Sequence, residues 1–330
     1  MLNLSTNYLG LKLRNPIIAG SSGLTDSLNG IISLEQAGVA AVVLKSIFEE
    51  EIVSEMEVNL KKMASDQFLY PETLDFYEDN VEDNICSKYL ELIKKAKSKV
   101  QIPIIASINC VTADYWTYFP KQIEQAGADA LELNIFILPS DFSRDRASTE
   151  KVYFDIIEKV LNQIKIPVSI KLSYYFSDLA LTLQKIAQSP ISGLVLFNKS
   201  YNPDFDIDTL EVTSGKILSS SEDYTIPLRW ISIMSGRVNC SLAASTGIHN
   251  GEAALKLLLA GADAVQITST LYQNGNDQVQ KILSYIETWM NSKGFNSIDQ
   301  FRAKMSQIGS KNPAAYERVQ FMKYYRGYKK

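Results

Sequence analysis

Two lysines and three asparagines stand where short apolar runs give way to polar residues: Lys45, Lys171, Asn109, Asn134 and Asn198. Such side chains are poor endings for a buried strand unless something polar receives them. Beside them lie Ala19-Gly20-Ser21, Ser46, Lys199, Thr246-Gly247 and Ser269-Thr270. Ammonium and amide groups suit a polar heterocycle with carbonyl and ring-nitrogen edges. Glycine and hydroxyl residues suit a phosphate, which backbone N–H groups can hold. Together they point to flavin mononucleotide, FMN. An aldolase-type Schiff base on Lys171 or Lys45 is the competing chemistry, but lysines set among asparagines fit the flavin better.

Other chemistries lack their residues. The single histidine, His249, cannot build a histidine-rich metal site, and it reads as flanking a helix N-cap. The three cysteines, Cys86, Cys110 and Cys240, are far apart with no Cys-x-x-Cys spacing, so neither a metal site nor a disulfide framework is expected. There is no Gly-x-Ser-x-Gly elbow, no Gly-x-Gly-x-x-Gly and no Walker loop. A net charge of −4 without a basic tract gives no footprint for nucleic acid. No apolar run nears the roughly 20 residues that span a bilayer, and the start shows no signal peptide. The expectation is a cytoplasmic protein acting on a small molecule, with a homodimer left open.

An internal repetition supplies the elements that position these residues. Ala37–Leu44, Ala126–Leu133 and Ala260–Ile267 share the pattern Ala-Gly-x-x-Ala followed by apolar residues. Each closes a helical stretch on a glycine C′ residue and enters a short strand. A second signature, Gln101-Ile-Pro103, Lys165-Ile-Pro167 and Thr225-Ile-Pro227, marks strand starts, where proline removes no ladder donor.

Strand-like runs fall at Pro16–Ala19, Ala41–Lys45, Ile104–Ile108, Ala130–Asn134, Val168–Leu172, Gly193–Phe197, Leu242–Ser245 and Ala264–Thr268. Helical stretches at Tyr115–Gln125, Glu150–Gln163, Leu179–Gln188 and Glu252–Leu259 separate most of them. The alternation predicts an α/β fold, a (β/α)8 TIM barrel with inserted loops, in a single domain over 1–330. Leu228–Ile233 is a ninth strand-like run, read as an excursion after the sixth strand or as the seventh strand itself. Phe48–Asn84 and Asn198–Pro227 are long insertions expected to wall the site.

Asn15-Pro-Ile-Ile-Ala-Gly-Ser21, Leu44-Lys-Ser46, Glu132-Leu-Asn134, Ile170-Lys-Leu-Ser-Tyr-Tyr-Phe176, Ser235-Gly-Arg237 and Ser245-Thr-Gly-Ile-His-Asn-Gly-Glu252 occur in the order and spacing of a known family. Over nearly the whole chain the sequence resembles the dihydroorotate dehydrogenases of the soluble class. The resemblance implies an FMN barrel that oxidises dihydroorotate to orotate in pyrimidine synthesis. By it, Ala19, Gly20 and Ser21 pass under the flavin, Lys45 reaches toward the isoalloxazine and the substrate, and Ser46 helps to bind the cofactor. Asn109, Asn134, Asn198 and Lys199 bind flavin or substrate, and Lys171 holds the flavin's pyrimidine edge. Gly236, Thr246, Gly247, Ser269 and Thr270 surround the phosphate.

The departures are local. The family's fourth-strand loop carries a Cys or Ser base, whereas here Asn134-Ile-Phe-Ile-Leu-Pro-Ser140 sets Ile137 at that place. An aliphatic side chain accepts no proton. Ser140 is the replacement expected if the loop shifts, with Cys110 next. The family's Asn-x-Met-Gly-Leu-Pro-Asn substrate loop is absent, and Tyr70-Pro-Glu-Thr-Leu74 occupies its region.

Overall fold

Each alanine–glycine repeat ends a helix and starts a barrel strand. Gly38, Gly127 and Gly261 have φ of 108°, 96° and 120°, a region that glycine enters at little cost. A Cβ on Gly261 would lie 2.1 Å from the Ser235 hydroxyl, so that turn also needs the space. The computed structural model describes residues 2–53, 85–110 and 119–318. The region around Tyr70, the bulk of the first long insertion and the start of Tyr115–Gln125 lie outside them.

The first strands are β1 (Thr6–Tyr8), β2 (Leu11–Leu13), β3 (Ile17–Ala19), β4 (Ala41–Val43), β5 (Ile47–Phe48) and β6 (Ile104–Cys110). They continue with β7 (Ala130–Ile135), β8 (Val168–Leu172), β9 (Gly193–Leu196), β10 (Pro203–Asp206), β11 (Glu211–Ser214), β12 (Ser241–Ser245) and β13 (Ala264–Ile267). The helices are α1 (Leu28–Ala37), α2 (Ile85–Lys99), α3 (Phe119–Gln125), α4 (Arg146–Leu161) and α5 (Leu179–Gln188). After them come α6 (Thr225–Met234), α7 (Gly251–Ala260), α8 (Ser269–Asn274), α9 (Gln278–Lys293) and α10 (Ala314–Glu317). Strands β4, β3, β13, β12, β9, β8, β7 and β6 pair in that order, and β4 pairs with β6 to close the ring. All of these pairings are parallel. The fold is a (β/α)8 barrel, as the alternation predicts.

Carboxylates tie successive units together in a repeated way. Glu35 accepts from the N–H groups of Gln101 and Ile102 at 2.6 and 3.2 Å. Glu124 does the same for Lys165 and Ile166 at 2.6 and 3.2 Å. Each glutamate near a helix C-terminus thus fixes an Ile-Pro turn that feeds a strand. The aspartates of the second and third repeats hold strand starts, Asp129 accepting from Ile104 N–H at 2.7 Å and Asp263 from Leu242 N–H at 2.8 Å.

Two apolar clusters follow from strand alternation. Ile104, Leu131, Ile170 and Leu194 face outward onto the helices. Ile18, Val43, Ile105, Ala130, Val195, Ala243 and Ala264 face inward, with Tyr8, Leu9 and Leu13 of the β1–β2 hairpin packed among them. The hairpin therefore plugs the N-terminal end of the barrel.

One element differs from expectation. Leu228–Ile233 belongs to helix α6, not to a strand. The Thr225-Ile-Pro227 signature that suggested a strand start lies in the first helical turn, where proline's missing N–H has no intrahelical partner to lose. Residues 198–227 carry the β10–β11 hairpin, which stands exposed.

Candidate functional site

The register of three neighbouring strands builds the floor of the site. β6, β7 and β8 set Asn109 opposite Asn134, and Asn134 opposite Lys171. One inward step lower, Ser107 faces Glu132, and Glu132 faces Ser169. Side chains two apart share a face of a strand, so these residues continue the inward rows begun by Ile105 and Ala130. The barrel interior is apolar at the hairpin end and polar toward the C-terminal ends of the strands.

Lys171 lies buried in this polar layer. Its Nζ donates to Gln266 Oε1 at 3.0 Å and sits 3.4 Å from Glu132 Oε1. Gln266 Nε2 donates to Glu132 Oε2 at 2.5 Å. Glu132 and Gln266 occupy the same, seventh place in two of the alanine–glycine repeats. Sequence reasoning passed over both, although a carboxylate and an amide in the middle of apolar strands were a visible signal.

Around this centre the predicted residues form two groups. Toward β3 and β4, Ser21 Oγ lies 3.1 Å from Ser46 Oγ, which lies 2.8 Å from Ser107 Oγ. Tyr89 anchors that row, its hydroxyl accepting from Ser107 N–H at 2.8 Å. Gly20 packs so closely that a Cβ there would lie 2.5 Å from Thr268 Oγ1. Lys45 follows β4, exposed, 4.0 Å from Asp26. Lys199 lies 3.8 Å from Asp223, and Asn198 is held by its N–H to Leu172 O at 3.0 Å.

The second group is the corner after β12 and β13. Thr246 and Gly247 have φ of 80° and 79°. A Cβ on Gly247 would lie 2.0 Å from Tyr224 N, so glycine is required there. The Gly247 N–H donates to Ser219 Oγ at 3.2 Å, and Ser219 N–H donates to Ser269 Oγ at 2.9 Å. Ser219 Oγ also lies 3.1 Å from His249 Nε2, and the Thr270 hydroxyl donates to His249 O at 3.2 Å. Burial lowers the His249 pKa below its ordinary value, against the opposing influence of Ser219 and Asp223. Thr246, Gly247, Ser269 and Thr270 thus meet, joined by Ser219 and His249. Ser219 carried no sequence signal, because it comes from the segment before α6. His249 does flank an N-cap, since the Asn250 side chain accepts from Ala253 N–H at 2.9 Å.

Three expected residues are not brought to this centre. Gly236 follows α6 and precedes β12, so it lies at the opposite, N-terminal end of the barrel, exposed. Its place near the phosphate was inferred from a short Ser-Gly motif, and the helix registered before β12 removes it. Ser140 sits on an exposed stretch beyond Leu138. Cys110 is buried at the end of β6, and burial with the nearby Glu49 pushes its thiol well above the usual range, so it stays protonated. Ile137 packs against the main core.

The cofactor expected at such a barrel mouth can be tested against these residues. Asn134 Oδ1 is buried and, among the described residues, has no hydrogen-bond partner. An acceptor left bare costs about 1–3 kcal/mol, and a ring N–H of a flavin or substrate would satisfy it. The Lys171 ammonium one strand away has three donors, of which Gln266 engages one, with Glu132 Oε1 held 3.4 Å away as an ion pair. The residues fit FMN.

The family profile described as dihydroorotate dehydrogenase matches residues 3–290. The chain is 26% identical over 308 residues to the "Dihydroorotate dehydrogenase B (NAD(+)), catalytic subunit" of Thermoplasma acidophilum, covering 90% of this chain and 97% of that protein. Proteins of the same name from Methanocaldococcus jannaschii and Malacoplasma penetrans are 23% and 25% identical, covering 87% and 89% of this chain and 93% and 95% of theirs. The chain belongs to the dihydroorotate dehydrogenase family of FMN-dependent oxidoreductases.

Proposed function

We propose that the chain binds FMN across the ends of β3, β4, β6, β7, β8, β12 and β13 and oxidises dihydroorotate, in the cytoplasm, at a low rate. The unpartnered Asn134 Oδ1 beside buried Lys171 is the observation that carries this reading. When bound, FMN supplies the hydride-accepting chemistry. Lys171 donates to its pyrimidine edge, with Gln266 and Glu132 holding the ammonium in place. Around Thr246-Gly247 and Ser269-Thr270 the phosphate is received by the backbone N–H groups other than that of Gly247, which donates to Ser219 Oγ, and Ser219 and His249 set the shape of that corner. Ala19, Gly20 and Ser21 lie under the ring system, with Ser46 fixing the Ser21 hydroxyl. Lys45, Asn109, Asn134, Asn198 and Lys199 orient the substrate and the flavin edge that faces it.

The proton to be removed from C5 has no acceptor at the family's position. Ile137 cannot take it, Cys110 remains a buried thiol, and Ser140 stands in solvent. General-base catalysis contributes about 10²–10⁴-fold, so binding and cofactor alone leave a weak dehydrogenase. The same observation favours a second reading, an FMN-binding barrel that turns over another ring or none. Mixing the yellow protein anaerobically with dihydroorotate separates them. Slow bleaching of the flavin band supports the first reading, and a band unchanged over hours supports the second.

A further inference from the structure

We propose that Glu132, acting directly and through Gln266, is the counter-charge that holds the Lys171 ammonium and moderates how strongly it favours the reduced cofactor. This rests on the reading that Lys171 faces FMN. The three side chains come from β7, β8 and β13 and meet inside the barrel. Glu132 is 1% exposed and Lys171 8% by side chain, and Gln266 is 2% exposed. The distances of 3.4, 3.0 and 2.5 Å close a triangle: Lys171 to Glu132, Lys171 to Gln266, Gln266 to Glu132. The bridging amide is used at both ends, its oxygen accepting from the lysine and its nitrogen donating to the carboxylate.

A structural account of this triangle would need only satisfied hydrogen bonds. A neutral trio could supply those, and burying two charges offers no stability advantage over apolar packing. What the charges add is electrostatic. A lone ammonium in a low-dielectric interior would strongly stabilise negative charge developing at the cofactor edge it touches. With Glu132 beside it, the pair is close to neutral at a distance, and only the local N–H donor remains fully expressed. Glu132 is therefore a positioning residue: it acts on the cofactor through Lys171 and does not touch it.

The test uses the full chain loaded with FMN, reduced anaerobically against reference dyes to obtain the two-electron midpoint potential. Glu132→Gln keeps an acceptor for Gln266 Nε2 but removes the negative charge, so the potential moves to more positive values than in the wild type. Lys171→Met moves it the other way. Because Glu132→Gln leaves a buried ammonium uncompensated and can fail to fold, Glu132→Asp is measured alongside it. The shorter carboxylate retreats from Nζ, and the potential moves in the same direction by less. Glu132 variants that bind FMN at the wild-type potential, while Lys171→Met shifts it, overturn the role of Glu132 alone. A wild-type chain that takes up no FMN overturns the reading of the site and this inference with it.

Discussion

On the proposed reading, Ile137 is the side chain that withholds a general base from this site. Counted without gaps from Asn134, it falls at the family's base position, and it is partly buried against the core. Replacing Ile137 with Cys should raise the rate of flavin reduction by dihydroorotate by about 10²-fold, near the low end of what a general base contributes. Stopped-flow absorbance checks this, and a rate unchanged with flavin and substrate both bound would show that the proton leaves by another route. His249 gives a residue-scale dependence on pH. Its imidazole is lowered below the ordinary 6.5, with burial the leading cause, so the unfolded chain binds the proton first as pH falls. The stability that the neutral ring contributes is complete above about 6.5 and is lost as pH drops through the lowered value. Urea midpoints of the wild type should fall across that window, while His249→Gln should show a smaller fall. Identical profiles would remove His249 from the account.

At the scale of elements, what is legible in the sequence is what local chemistry dictates. Gly38, Gly127 and Gly261 announced helix ends because glycine readily enters their left-handed φ, and the strands behind them fell where the apolar runs lie. Leu228–Ile233 misled for an equally local reason: an apolar run after Ile-Pro suits a strand start and a first helical turn alike. Tertiary packing, absent from the local pattern, makes it α6. The clasp between Glu124 and the Lys165-Ile-Pro167 turn joins residues 41 and 42 positions apart and left no sequence signal. Charge-assisted bonds of this kind are worth about 1.5–3 kcal/mol each. Glu124→Ala should therefore lower unfolding free energy by about 2 kcal/mol, with FMN binding retained. A urea titration within 0.5 kcal/mol of the wild type, roughly the spread of neutral surface changes, would mean the clasp is replaced by water without loss.

At the scale of the whole molecule, the barrel sorts its interior by height. The β1–β2 hairpin and an apolar layer close one end, buried Glu132 and Gln266 follow, and Lys171 stands level with the amides of Asn109 and Asn134 on the side of the mouth. Strand ends alone disclosed the mouth, because lysine and asparagine are conspicuous after apolar runs. The layer beneath required the register, which only the folded sheet shows. Gly236 failed for the complementary reason: a short motif carries no information about which end of a barrel it reaches. The central claim, that this mouth is an FMN site gripped by Lys171, is tested most directly by measuring flavin content. Heat release from the purified wild-type chain should yield one FMN per chain, and Lys171→Ala should bind FMN about ten- to a hundredfold more weakly, the loss of one charge-assisted hydrogen bond. A folded wild-type chain that retains no FMN at saturating cofactor, or a Lys171→Ala variant with wild-type affinity, would contradict it.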